Sequence, residues 1–149
     1  MNHLLTITLT IGLIASISST AVNQCGESIP FPLSTDILNC EIPPCKFIRN
    51  QYITADLTFY SPRYIDKLTA QVLATALGTE VNYGLDDQTD ACEHLVNTRC
   101  PLEKDEYVHY RLEMFVQEIF PKVSLSLKLS LLDQLNNTVT CMAVDGVVT

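Results

Sequence analysis

Between Tyr107 and Leu132 the chain carries two runs in which apolar and polar residues alternate, joined across Phe120-Pro121, and no other feature limits the possible folds as strongly. In the first run Val108, Tyr110, Leu112, Met114 and Val116 alternate with Tyr107, His109, Arg111, Glu113 and Phe115. In the second, Val123, Leu125, Leu127, Leu129 and Leu131 alternate with Lys122, Ser124, Ser126, Lys128 and Ser130. Successive side chains of a strand point to opposite faces, so each run has one wet face and one oily face. Nine residues of such a strand extend roughly 30 Å, which is long for a small domain. A sheet with that face needs a second sheet over it, and the covered space is either core or container.

Shorter stretches extend the pattern. Ile53, Ala55, Leu57 and Phe59 alternate with Tyr52, Thr54, Asp56 and Thr58 until Ser61-Pro62 ends the strand. Leu68, Ala70, Val72, Ala74 and Ala76 alternate up to Gly78; their composition would also suit a helix, and the neighbouring strands favour sheet. Ile29-Pro30-Phe31-Pro32 reads as a short edge strand or an irregular lead-in. Asn136-Asn137 is the last hairpin turn, followed by Val139, Cys141 and Ala143. Gly78 to Pro101, with Val81-Asn82-Tyr83-Gly84 and the acidic Asp86, Asp87, Asp90 and Glu93, is the least regular part, and a loop of that length is more often functional than idle. About six or seven short strands with almost no helix predict an all-β fold, an immunoglobulin-like sandwich of two antiparallel sheets. It is not an antibody domain, because the chain has no tryptophan.

Leu4 to Ile17 is apolar apart from small and hydroxyl residues, carries no charge and leads into Ser18-Ser19-Thr20-Ala21, which predicts a cleaved signal peptide over residues 1–21 and one domain over 22–149. A membrane anchor asks for about 20 apolar residues, more than this run has. The net charge of −8 and the scattered Lys and Arg argue against nucleic acid as a partner. Acidity is read as solubility for a chain with oily inner faces. Six cysteines in an exported chain imply disulfides. Fifteen pairings are open to six thiols. Spacing prefers Cys40–Cys45 across Glu41-Ile42-Pro43-Pro44, Cys92–Cys100 around a polar loop, and Cys25–Cys141 tying the two ends. Closing so long a loop contributes about 4–5 kcal/mol in the chain-entropy account. Asn136-Asn137-Thr138 is an N-glycosylation sequon and places Asn136 on the surface.

Catalysis would need a nucleophile with its base, a metal site, or a tuned carboxylate pair, and none is legible. Beyond the leader the histidines are His94 and His109, both read as surface residues. The acidic stretch lacks the glycine and closing glutamate of a calcium loop, and the cysteine spacing does not suit zinc. The expectation is a protein that is not an enzyme, with no cofactor and no metal. What remains is the oily inner faces, which mean either a filled core or sheets held apart around a lipid.

Pro44-Cys45, Phe59-Tyr60-Ser61, Asp90-Ala91-Cys92, Cys100-Pro101-Leu102, Phe120-Pro121 and Asn136 through Cys141 together resemble the ML lipid-recognition domain family, in the arthropod branch of its Niemann-Pick type C2 group. The resemblance spans the whole chain after the leader. It implies the same disulfide pairing, first with sixth, second with third and fourth with fifth, and a sandwich whose founding members carry sterol between lysosomal membranes. It also implies a pocket mouth. The family's aromatic residue there corresponds to Tyr83, with Asn82 and Gly84 where the family has prolines. A valine four residues before the Phe-Pro step corresponds to Val116, and Phe120 stands in place of a tyrosine. Val108, Tyr110, Leu112 and Phe59, on the oily faces, complete the expected lipid-binding set.

The function so implied is a secreted monomer that binds and transports a sterol, with the lysosome as the other destination. A membrane sterol acceptor protein is the further partner this reading admits. Two alternatives stay open: a carrier of fatty acids or semiochemicals, and an immune or surface recognition protein with a filled sandwich.

Overall fold

The structure is a computed structural model that describes residues 19–149, so the predicted signal peptide lies outside the described residues except for Ser19, Thr20 and Ala21. It is an all-β sandwich of two sheets. The larger sheet contains β1 (Asn23–Gln24), β3 (Cys45–Phe47), β5 (Thr69–Ala76), β6 (Thr79–Tyr83), β8 (Ser124–Leu132) and β9 (Thr138–Val148). Its order is β1-β9-β8-β5-β6, and β3 also pairs with β9. The smaller sheet is β2 (Ser34–Ile37), β4 (Tyr52–Tyr60) and β7 (Tyr107–Phe115), in that order. All these pairings are antiparallel except that of β3 with β9, which is parallel.

The two alternating runs are β7 and β8, and they lie in opposite sheets. Inner faces follow parity: Val108, Tyr110, Leu112 and Met114 of β7 are buried, while Arg111, Glu113 and Phe115 are exposed. On β4 the buried Ala55, Leu57 and Phe59 pair with Leu112, Tyr110 and Val108. The stretch that could have been helix is β5, held on both sides by β6 and β8, so tertiary pairing overrides the helix propensity of its alanines. The three disulfides are Cys25–Cys141, Cys40–Cys45 and Cys92–Cys100, the pairing that spacing preferred.

The segment expected to be irregular contains a strand. Residues 79–83 form β6, a hairpin partner of β5 turned through Leu77 (φ 51°) and Gly78 (φ 75°). The rest, with two 3-10 turns at Asp86–Thr89 and Ala91–His94, runs along the free edge of β7. There the Val96 amide donates to the His109 carbonyl at 2.8 Å. The Asn97 side chain accepts from the His109 amide at 2.8 Å, and the Gln88 side chain accepts from the Glu113 amide at 3.1 Å. These bonds satisfy backbone groups that an open edge would leave free. His94 is held by Gln88 and the Asp87 carbonyl, and His109 bonds to Asp56 at 2.7 Å on the outer face.

Candidate ligand site

The inner faces are not covered along their full length. On β8, Leu129 and Leu131 are 2% and 0% exposed, while Leu125 and Leu127, which point the same way, are only half-buried. On β5, Ala70 and Val72 are buried, and Ala74 and Ala76 are not. At this end the sheets enclose a hollow of about 340 Å³. Two causes are local. The last inner positions of β5 are alanines, which leave volume unfilled between sheets set about 10 Å apart. At the same end, β6 and the turn carrying Phe120 hold the rim.

One wall of the hollow is Ala74, Ala76, Thr79, Val81, Leu125 and Leu127 of the larger sheet. Opposite stand Ile53, Met114 and Val116, and Phe47 and Val148 close the side. Tyr83, Phe120, Pro121, Val123 and Leu77 complete the lining. Apart from the Thr79 and Tyr83 hydroxyls, the lining side chains are hydrocarbon or thioether, so the space suits an apolar body. Tyr83 and Phe120 meet edge to face with ring centroids 5.4 Å apart. The Tyr83 hydroxyl donates to the Phe115 carbonyl at 2.6 Å. Burial, and then the negative charge of Asp86, push the Tyr83 phenol above its ordinary range.

On the other side of Tyr83 lies a second, polar hollow of about 190 Å³ bordered by Tyr52, Asp86, Asp87, Gln88, Glu113 and Gln117. Tyr83 and Met114 line both spaces. Among the described residues, neither space has a Lys or Arg in its lining.

Of the residues expected to touch lipid, Tyr83, Val116 and Phe120 border the larger hollow. Leu112 borders only a small deeper void. Val108, Tyr110 and Phe59 are buried in the packed end of the sandwich and are absent from the lining. The Tyr110 hydroxyl has no hydrogen-bond partner among the described residues, and burial pushes its pKa far up. Sequence reasoning missed Phe47, Ala74, Ala76, Val81, Met114, Leu125 and Leu127 as lining. All but Phe47 and Val81 lay on alternating oily faces, and the run of alanines was a signal of missing volume. Phe47 is placed by β3 pairing with β9, a contact between segments about a hundred residues apart that no local pattern reveals. Its ring lies on Gly146, where a Cβ would overlap it.

The chain is similar to known proteins in sequence and in fold. The ML domain family pattern matches residues 19–147. The NPC intracellular cholesterol transporter 2 of Bos taurus is 25% identical over 121 residues, covering 81% of this chain and 79% of that one. The mite group 2 allergen Lep d 2 of Lepidoglyphus destructor is 27% identical over 134 residues, 89% of each chain. Among solved structures, a Niemann-Pick type C2 protein from Japanese carpenter ant superposes with a TM-score of 0.73 at 20% identity, covering 87% of this chain and 99% of that one. Chicken MD-1 complexed with lipid IVa superposes with a TM-score of 0.52 at 14% identity, over 83% and 85% of the two chains. Both structures share the fold.

Proposed function

We propose, from the premise that the chain belongs to the ML domain family of lipid-binding proteins, that it is a secreted, non-enzymatic carrier of one sterol held by its hydrocarbon body between the sheets. The observation that supports this reading is the uncovered end of the inner faces, where Leu125 and Leu127 border a hollow of about 340 Å³. Pockets for single small molecules start at about 300 Å³. The driving force is burial of ligand surface at about 25 cal/mol per Å², less the freedom lost on binding. The head group follows from charge. The polar side chains beside Tyr83 include Asp86, Asp87 and Glu113, which would repel a carboxylate and accept a hydrogen bond from a hydroxyl. A relative named as a cholesterol transporter agrees with a neutral sterol as cargo.

Export rests on the apolar leader in the sequence. Among the described residues no helix is long and apolar enough to cross a membrane. Whether the cargo is handed over outside the cell or in lysosomes depends on an acceptor, a membrane sterol protein in this reading.

Native mass spectrometry of the protein purified without delipidation tests the proposal, followed by competition of a fluorescent sterol against long-chain fatty acids. The expected result is one sterol per chain that fatty acids fail to displace. Displacement by fatty acids would replace the sterol reading with a fatty-acid or semiochemical carrier. A protein that binds neither would overturn the carrier reading.

A further inference from the structure

The larger hollow does not end on a continuous wall. Deeper between the sheets is a void of about 20 Å³, and Phe47, Ile53, Met114 and Leu127 border both spaces. These four side chains are therefore a partition. Two of them have little freedom: Phe47 lies against Gly146, and Ile53 is β-branched and stiff at its first torsion. Leu127 is half-buried, but its branched side chain is shorter than a methionine's. Met114 is different. It is unbranched, with three rotatable side-chain bonds, so it can change shape without movement of the backbone. Beyond it Met142 borders the void from β9, opposite Leu129. The chain has 3 methionines and one is Met1, so both internal ones border the void.

We propose that Met114, backed by Met142, is an adjustable end wall that sets the length of the cargo. Rotation of Met114 joins the void to the hollow and extends the space by one inward-facing residue along β8, from Leu127 to Leu129. That is about 7 Å of strand, room for several methylene groups. The class of ligand that uses the extension is a neutral lipid with a flexible hydrocarbon tail, whose tip displaces the thioether. In the closed position the void is too small for such a tail, so the deep compartment opens only with cargo. This inference rests on the carrier reading above.

The test is displacement of a fluorescent sterol from the full secreted protein by a homologous series of straight-chain primary alcohols, comparing the natural chain with Met114→Ala and Met114→Leu. Met114→Ala is expected to shift the best-bound alcohol to a longer chain, with roughly tenfold tighter binding of the longest members. Met114→Leu keeps nearly the same volume in a branched, stiffer side chain, and is expected to lose long alcohols relative to short ones. This second variant carries the test if the alanine protein is unstable. A length profile unchanged in Met114→Leu overturns the adjustable wall while leaving the carrier reading intact. If the natural chain binds no sterol and no alcohol, the carrier reading itself fails, and this inference with it.

Discussion

The Tyr83 hydroxyl and the Phe115 carbonyl, 2.6 Å apart, connect the edge strand of one sheet to the last residue of β7 in the other. This bond spans the open side of the sandwich, and the ring it anchors is shared by the apolar and the polar hollow. A partly exposed hydrogen bond of this kind contributes about 0.5–1.5 kcal/mol. Tyr83→Phe keeps the ring and its contact with Phe120 but removes the clasp. Lipid should enter and leave up to about tenfold faster with little change in affinity, as measured by stopped-flow fluorescence. Tyr83→Ala should weaken binding itself. Equal exchange rates in the natural and phenylalanine proteins would show that the clasp does not gate the site.

Substitutions at two positions, Val116 and Gly146, should disable the hollow. Val116 is 3% exposed and faces the cavity, so Val116→Phe occupies cargo space and Val116→Asp places an unpaired charge there. Gly146→Ala acts indirectly. Its new methyl group must displace the Phe47 ring, which borders the cavity, at a cost of about 1–3 kcal/mol in stability. All three should reduce the lipid bound per chain in native mass spectra. Full binding by both Val116 variants would place the site elsewhere.

Acid stability should depend on Asp133. Its side chain is 1% exposed and accepts from Arg63 Nε at 2.6 Å and from the Leu135 and Asn137 amides at 2.9 Å each. Burial, the largest single influence, pushes this carboxyl up, but the Asn137, Arg63 and Leu135 bonds and the Arg63 charge together outweigh it, and the pKa falls below the ordinary value. A depressed carboxyl stabilises the fold above its unfolded pKa and loses that contribution as pH falls through the folded one. The fold should therefore keep this contribution at mildly acidic pH and lose it only below the usual aspartate range, about pH 4. Asp133→Asn should cost roughly 1.5–3 kcal/mol at neutral pH and flatten the acid limb of a melting-temperature profile. A variant profile parallel to the natural one would refute this assignment.

Thr20 bears on processing. It is 3% exposed; its amide donates to the Thr35 carbonyl and its hydroxyl accepts from the Ile37 amide, each at 2.8 Å, while that hydroxyl donates to the Cys40 carbonyl. A cut after Ala21 would remove these bonds, whereas a cut after Ser18 keeps them and presents Ser16 and Ser18 as the small residues. N-terminal sequencing of the exported protein should accordingly find Ser19 rather than Val22 first. Asn136, exposed in the turn before β9, should carry glycan, read as a mass loss on enzymatic deglycosylation.

Much of the sandwich was legible because a strand's alternation is a local property. β4, β7 and β8 could be placed, with their inner faces, from period two alone. β6 was not legible: its five residues are mostly exposed, and it is a strand because β5 lies beside it. Tyr83, Val116 and Phe120 came from the family resemblance, since no pattern of polarity distinguishes a mouth from any other turn. Tyr110 and Leu112 lie on the inner face of β7 but deeper than the hollow, because parity specifies a direction and says nothing about distance from the opening.

The second run shows where the division lies. Leu125, Leu127, Leu129 and Leu131 are the same residue at the same period, and period two alone points all four inward. That the last two are core and the first two cavity wall is settled by the packing of the sheets. Direction depends on the backbone of one strand, whereas coverage depends on what the facing sheet places opposite. At this end the alanines of β5, the Phe47 ring held on Gly146 and the Tyr83 clasp leave a space that the chain's own side chains do not fill.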